Sequence, residues 1–323
     1  MKRKGLTITY VVKAFPMNYD EGYGNVSVAK KVHRGDGTTL PFTSRQALRY
    51  SITKWLFEHG LWEESPLKRE GGGDKAVIQY DKEALQEKFY EEADLFGYMI
   101  TEGERKALTR SAVARLTHLI SLDPYYGDQE FLSNMGFASR YQNQLKSKEG
   151  KDAEVNPNIA NVETAYNYYK YTLNIDLDLV GIDDNFRHNL DVDERIRRVQ
   201  TLLEATKYLY RDIRGRREDL KPILVIGGVF PIKSPFFHNA VRLNWIAGRP
   251  HISTAAIAQV LNMKLPDFVG GGAVSDYSYG GLLRDEFPNQ DEFMSLKDGF
   301  DTSPFDVIDT LKEEVEKAYR EES

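Results

Sequence analysis

Apolar positions along this chain recur with two different periods, and the alternation between them predicts the order of its elements. Apolar residues at every second position predict strands at 6–15, 111–122 and 171–182, and a continuous apolar run predicts a buried strand at 222–230. Spacing of three and four predicts helices at 43–59, from Asp191 to Gly215, and near 303–320. Without its insertions the order is β-α-β-β-α-β. This order is typical of an α+β ferredoxin-like or RNA-recognition-motif fold.

The start of the first helix carries an unusual pair of charges. Thr43 and Gln46 are spaced as a capping box, which predicts that the helix begins there. Arg45 and Arg49 then share one face of the first turns, where the helix macrodipole disfavours cations. A helix N-terminus binds anions, and the preceding loop adds further basic candidates, Lys30, Lys31, His33 and Arg34. The pattern indicates a polyanion site, although two arginines on a solvated helix face would give the same pattern.

Composition limits the possible chemistry. The 323 residues include no cysteine, which excludes disulfides, thiolate metal sites and a cysteine nucleophile. Net charge is −6, yet residues 1–57 carry +7 and residues 284–323 carry −8. Local charge decides what binds where, so the basic region remains compatible with a nucleic acid. An interrupted apolar start and the absence of any long apolar run predict a soluble, cytoplasmic protein without a membrane partner.

Catalytic motifs are weak. Asp176 and Asp178 fall on one face of a predicted strand, as metal-binding carboxylates do in some polymerases, and Asp36 could act as a general base. No third carboxylate completes a metal site, and the sequence contains neither G-x-x-x-x-G-K-[ST] nor G-x-S-x-G. Solvated strand carboxylates and a Gly-Asp-Gly turn are the commoner interpretations. We therefore expect no active site and no cofactor, with a metal-dependent ribonuclease as the alternative.

The polar stretch 125–164 is too long for a simple connection. Its aromatic and apolar residues alternate with Arg140 and Lys146, a mixture that single-strand binders use to stack bases and hold phosphates. We expect the segment SNMGFASRY (133–141) to form the tip of an arm, with Met135 or Phe137 wedged between bases. A small cluster that only keeps the arm folded is the alternative.

Four segments together carry a family resemblance: FTSRQALRYSI, DLFGYMI (94–100), LTRSAVARLTHLISLDP (108–124) and YTLNIDLDLVGI. In this order, over most of residues 5–240, the chain resembles the backbone subunit of type I CRISPR effector (Cascade) complexes. It is most similar to the DevR-type autoregulator branch associated with subtype I-B. The resemblance implies a non-catalytic scaffold whose copies polymerise along CRISPR RNA beside other Cascade subunits, so that the guide pairs with one strand of target DNA.

The resemblance also implies a domain plan. The palm takes residues 1–57, 110–124 and 165–323, a helical fingers insertion takes 58–109, and a thumb arm takes 125–164. Carried over to this sequence, the RNA contacts fall on the helix start and on the basic loop: Ser44, Arg45, Gln46 and Arg49, and Lys30, Lys31, His33 and Arg34. We also expect RNA contacts from the arm and from four further positions: Met135, Phe137 and Arg140, and Lys13, Asn18, Lys233 and His238.

Two departures from the family pattern bear on this reading. Many relatives have glycine where this chain has Arg45, which leaves two alternatives: the backbone still approaches RNA closely here, or a guanidinium has replaced that contact. The loop aspartate with which related type III subunits cleave RNA has no match in the context of Asp36. The family label also suggests a DNA-binding regulator, but no helix-turn-helix signature supports one.

Overall fold

The computed structural model describes residues 3–72, 76–101, 107–149 and 155–321. Its helices are α1 (Arg45–Glu58), α2 (Lys82–Glu87), α3 (Glu91–Phe96), α4 (Met135–Glu149), α5 (Val192–Lys207), α6 (Thr254–Leu261), α7 (Gln290–Met294) and α8 (Pro304–Arg320). Its first strands are β1 (Gly5–Ala14), β2 (Val26–Ser27), β3 (Lys31–His33), β4 (Thr39–Thr43), β5 (Leu67–Glu70), β6 (Val77–Tyr80), β7 (Tyr98–Ile100), β8 (Leu108–Arg110), β9 (Ala114–Leu116), β10 (Leu119–Ser121) and β11 (Asp128–Ser133). The others are β12 (Ile159–Thr164), β13 (Asn167–Asp176), β14 (Ile182–Asp183), β15 (His188–Asn189), β16 (Tyr210–Ile213), β17 (Arg216–Asp219), β18 (Leu224–Phe230), β19 (Leu243–Ile246), β20 (Arg249–Ile252) and β21 (Ser278–Leu282).

An antiparallel sheet of eight strands forms the centre of this mixed α+β fold. Its order is β21-β18-β1-β13-β10-β4-β3, and β9 also pairs with β13. The alternating residues Leu6, Ile8, Tyr10 and Val12 face one side, where they pack with α1, α5 and α8 into the main core. The predicted alternation of β1 and the predicted buried strand at β18 are confirmed.

A second layer covers part of the opposite side of the sheet. Val11, Ile226 and Phe230 point to this side and pack with apolar residues from the segment 236–300. The segment includes α6, α7 and the β19–β20 hairpin. Only one face of the sheet therefore carries the long helices, and the chain between β18 and α8 shields the other.

Several predicted boundaries were wrong. The strand expected at 171–182 ends at Asp176 and continues as a 3-10 turn over Leu177–Leu179. The strand expected at 111–122 is two short strands, β9 and β10. The helix expected to reach Gly215 ends at Lys207, and Arg214 and Gly215 instead form the positive-φ turn of the β16–β17 hairpin. The glycine marks a hairpin turn and not a helix end.

The segment 58–109 is less helical than expected. It contains two six-residue helices, α2 and α3, together with the β5–β6 and β7–β8 hairpins. Buried Asp94 ties it to the body of the protein. Its carboxylate accepts bonds from Arg110 at 2.6 Å, from Arg198 at 2.8 Å and from the backbone N–H of Gly181 at 2.9 Å.

The arm is a small unit of its own. Strands β11 and β12 pair along six residues, β12 also pairs in parallel with β2, and α4 lies between the two arm strands in the sequence. Ala138 and Val162 are buried, whereas Phe131 and Phe137 are 62% and 67% exposed. The arm therefore has little core and presents most of its apolar side chains to solvent.

We expect Asp94→Ala to lower the free energy of unfolding by about 3–5 kcal/mol, because it leaves the largely buried Arg110 guanidinium without a carboxylate and leaves the buried Arg198 with Glu194 alone. Asp212→Ala is the matched control. It removes an exposed Asp–Arg pair with Arg217, so stability should change little. Urea unfolding of both variants measures the difference. Equal losses would contradict a structural role for Asp94.

Candidate nucleic-acid interface

The first helix begins one residue later than its sequence suggested. Thr43 is the last residue of β4 and pairs with Leu119, so its hydroxyl is buried and unavailable for capping. Ser44 caps α1 by accepting a bond from the N–H of Ala47 at 3.2 Å. The prediction of a Thr43–Gln46 capping box is therefore wrong. Gln46 is an exposed residue of the first turn.

Neighbouring polar groups hold this helix start in position. The side-chain amide of Asn18 donates to the Ser44 hydroxyl at 3.2 Å. The backbone N–H of Arg45 donates to the His118 Nδ1 at 3.1 Å. Among the predicted sites, Asn18 and Ser44 thus shape the helix start. His118 was not predicted, although it lies within the LTHLI segment between β9 and β10.

A cleft of about 350 Å³, here called the helix-start cleft, opens beside the first turns of α1. Its lining is Arg45, Gln46, Arg49, Phe96, Ala112, Ala114, Arg115 and Leu116. The structure thus brings three of the predicted residues together and adds Arg115 to them. Arg115 stands on the exposed side of β9 and was not predicted.

The three arginines of the helix-start cleft differ in how strongly the protein already holds them. Arg49 lies 3.3 Å from the Glu92 carboxylate and over the ring of Phe96. Arg115 pairs with Asp176 at 2.7 Å. The Arg45 side chain is exposed and makes no ion pair or hydrogen bond with any residue in the described ranges. Arg45 is therefore the cation most available to an anion at this helix N-terminus.

The basic loop before α1 is largely used within the protein. Lys30 pairs with Asp20 at 2.6 Å, and Lys31 pairs with Glu163 of the arm at 2.5 Å. His33 bonds to the Thr39 hydroxyl. The Arg34 side chain is 60% exposed, and its guanidinium lies 3.7 Å from the Asp36 carboxylate. Lys31 therefore fixes the loop to the arm, Lys30 is held by Asp20, and Arg34 is the loop residue best placed to contact a ligand.

Arg34 lines a second opening of about 550 Å³, here called the loop groove. Lys170, His238 and Arg242 lie along the same groove. The Lys170 ammonium donates to the carbonyls of His238 and Val241 at 2.5 and 2.9 Å. Burial and the charge of Lys170 lower the pKa of His238, so its ring is neutral at pH 7. His238 therefore contributes a hydrogen-bonding ring and no positive charge.

Lys13 and Lys233 do not line either opening. The Lys13 ammonium pairs with Glu286 at 2.9 Å, and Lys233 pairs with Asp178 at 2.5 Å. In the arm, Met135 and Phe137 are 58% and 67% exposed, and the Arg140 guanidinium lies over the Phe137 ring. The arm residues are thus accessible, whereas the two lysines are held by carboxylates.

The carboxylates considered for catalysis have ordinary partners. Asp176 pairs with Arg115, and Asp178 lies in the 3-10 turn beside Lys233, so the two do not share a strand face. Asp36 accepts a bond from the Thr38 N–H, which lowers the pKa of this exposed carboxyl and makes it a weaker base. No group of three or more metal-ligating side chains occurs in the described part of the chain.

Many charges of the acidic C-terminal helix are also paired within the protein. In α8, Asp309 bonds to Lys207, Glu314 to Arg3 and Lys317, and Glu316 to Arg320. Ion pairs formed on folding thus neutralise part of the negative charge that the sequence concentrates in this helix. Helix α8 packs on α5 and the sheet through the main core.

The sequence profile of a family described as CRISPR-associated negative auto-regulator DevR/Csa2 matches residues 6–242. The chain belongs to this family. The family recognised from the four quoted segments is therefore confirmed. The DevR/Csa2 match ends within the segment that covers the second face of the sheet.

Solved structures of similar fold come from CRISPR complexes. One chain from a "CRISPR RNA-guided surveillance complex, pre-nicking" superposes with a TM-score of 0.57 and 14% identity, over 96% of this chain and 99% of that one. Another chain, from a "CRISPR RNA-guided surveillance complex", superposes with a TM-score of 0.56 and 15% identity, over 96% of this chain and 98% of that one. No curated protein sequence matches the DevR/Csa2 chain. Among the residues described, no helix combines the length and apolar character needed to cross a membrane.

Lys170, in the loop groove, should make the free energy of unfolding depend on pH. Burial, and then the charge of Arg242, lower the pKa of Lys170 to about 8. The unfolded chain holds this proton up to about pH 10, so the free energy of unfolding should rise by about 2 kcal/mol between pH 8 and 10. This contribution is lost as the pH falls through 8. Urea unfolding at several pH values should show the rise in the wild type and not in Lys170→Met, and parallel profiles would contradict it.

Proposed function

We propose that this chain is a non-catalytic scaffold that binds CRISPR RNA and polymerises along the guide to form the backbone of a Cascade-type complex. Membership of the DevR/Csa2 family supports the CRISPR context. The similar fold of chains from RNA-guided surveillance complexes supports the same role. Further copies of this chain, other Cascade subunits and a target DNA strand that pairs with the guide are the proposed partners. The proposed location is the cytoplasm.

The helix-start cleft is the observation that carries this proposal. It joins the positive end of a fourteen-residue helix to the exposed Arg45 guanidinium, which forms no ion pair within the described part of the chain. Arg49 and Arg115 stand beside it and can exchange a carboxylate for a phosphate oxygen. Such a site recognises phosphate and not base identity, as a scaffold for guides of any sequence requires.

The strand order supports the finer assignment of the palm. Strands β18, β1, β13 and the β9/β10 pair lie side by side, with α1 and α5 on one face. In chain order these are the fourth, first, third and second strands of a β-α-β-β-α-β unit, the arrangement of a ferredoxin-like fold. Within this plan we assign 58–109 to the fingers and 125–164 to the thumb.

The ribonuclease alternative gains no support from the described residues. Asp176 and Asp178 are held by Arg115 and Lys233, and Asp36 caps its own turn. A metal-dependent nuclease needs carboxylates free to share an ion. We therefore retain the non-catalytic scaffold as the proposed function.

The first test concerns Arg45. Arg45→Ala should weaken binding of unrelated single-stranded RNAs to a similar degree and reduce the slope of log affinity against log salt by about 0.7, the value for one lost phosphate contact. Lys54→Ala, at the other end of α1 and outside the cleft, is the matched control. Fluorescence anisotropy over a salt series measures both. An unchanged slope, or a loss confined to one sequence, would contradict a phosphate contact.

The second test concerns the arm. Phe137→Ala removes an exposed ring and should leave the stability and most of the RNA affinity intact, because the ring packs on little of the protein. Periodic distortion of the bound RNA should be lost if the ring stacks between bases. Chemical probing of RNA bound to the wild type, to Phe137→Ala and to the control Phe131→Ala measures this. Periodic reactivity that survives both Phe137→Ala and Met135→Ala would rule out the wedge.

A further inference from the structure

An aromatic pocket lies at the base of the arm, separate from the helix-start cleft. Its volume is about 560 Å³, and four aromatic side chains line it: Phe15, Tyr126, Tyr166 and Trp245. Phe15 and Tyr166 pack against each other with ring centroids 4.8 Å apart. Tyr126 is 87% exposed and Trp245 is 49% exposed. The pocket thus presents several aromatic faces to solvent.

A buried carboxylate is part of the lining of this pocket. Asp123 is 7% exposed, and its two oxygens accept bonds from the Trp245 indole N–H at 2.9 Å and the Tyr168 backbone N–H at 2.7 Å. Both donors are neutral. Lys13, the cation whose charge acts on Asp123, bonds directly to Glu286. Asp123 is therefore a buried charge without an ion-pair partner among the residues described, an arrangement that is costly in isolation.

A second carboxylate stands at the rim. Asp128 accepts a bond from the N–H of Gln129 and makes no ion pair in the described part of the chain. The lining of the pocket includes no lysine or arginine. Two cations lie behind the lining rings: the Lys13 ammonium is 5.7 Å from the Tyr166 ring centroid, and the Arg216 guanidinium is 5.3 Å from that of Phe15. Each is paired with a carboxylate, Glu286 for Lys13 and Glu218 for Arg216, so Asp123 and Asp128 leave an excess of negative charge that disfavours phosphate groups and attracts a cation.

We propose that this aromatic pocket is a docking site for an arginine or lysine side chain of a partner protein. A cation that lies over aromatic faces gains from their quadrupoles, and it would also neutralise the charge of Asp123. Arginine suits the site better, since its planar guanidinium stacks on rings and can bond to the Asp128 carboxylate. The proposal does not depend on RNA binding, because none of the pocket residues lines the helix-start cleft.

Trp245 provides a direct readout. The other two tryptophans, Trp55 and Trp62, are buried at 6% and 4% exposure, so an added peptide should change mainly the fluorescence of Trp245. The probe is the peptide Ac-Gly-Arg-Gly-NH₂, and its matched control replaces arginine with the neutral isostere citrulline. We expect saturable binding of the arginine peptide and about tenfold weaker binding of the citrulline peptide.

Variants on the pocket rim test the location. Tyr126→Ala and Asp128→Asn change exposed side chains, so both proteins should fold and bind the arginine peptide several-fold more weakly. Tyr23→Ala, an equally exposed tyrosine outside the pocket, should bind it normally. Equal binding of the two peptides, no saturable response up to tens of millimolar, or unchanged affinity in both rim variants would overturn the proposal. A response to adenosine as strong as that to the arginine peptide would also overturn it, in favour of a nucleobase.

Discussion

The pairing of β1 with β13 is the constraint on which the rest of this structure depends. The two strands pair antiparallel over ten residues, from Gly5 opposite Asp176 to Ala14 opposite Asn167. Both are buried almost throughout, so a slip of one residue would exchange their core and polar faces. On one face Tyr10 stacks on Tyr171 at 4.6 Å, inside the main core. On the other, Thr9 and Thr172 are joined by a hydrogen bond at 2.9 Å.

This register also positions the proposed binding surfaces. Lys170 lies on the polar face of β13, and its bonds to the carbonyls of His238 and Val241 hold the loop groove in place. Thr172 bonds to His238 and to Thr117, and so connects that groove to the segment between β9 and β10. His118, the next residue, accepts the N–H of Arg45 at the start of α1. A continuous set of contacts therefore links the central strand pair to the helix-start cleft.

The sequence predicted those features that depend on local periodicity. The alternation of β1, the buried run of β18 and the Ser-Pro start of α8 each specify their element within a few residues. Arg45, Gln46 and Arg49 were predicted to lie together because they are neighbours on one helix. Arg115 was not predicted, since its place in the cleft depends on the pairing of β9 with β13, which no local pattern reveals. Lys13 and Lys233 were predicted as RNA contacts, but tertiary contacts supply each with a carboxylate.

Which charges are paired within the protein determines where it can attract an anion or a cation, and net charge alone does not. A chain of net charge −6 should repel RNA if its charges were spread evenly. Folding instead pairs many of the cations internally, as with Lys30, Lys31 and Lys207, whereas the Arg45 side chain at a helix N-terminus has no ion-pair partner among the residues that the structure describes. On a different surface, beside aromatic rings, the hydrogen-bond donors to Asp123 within the described ranges are neutral groups. Because solvent and salt screen these surfaces from each other, one molecule can attract an anion at one site and a cation at the other. Such a separation is what a subunit needs if it binds a polyanion and a protein neighbour at the same time.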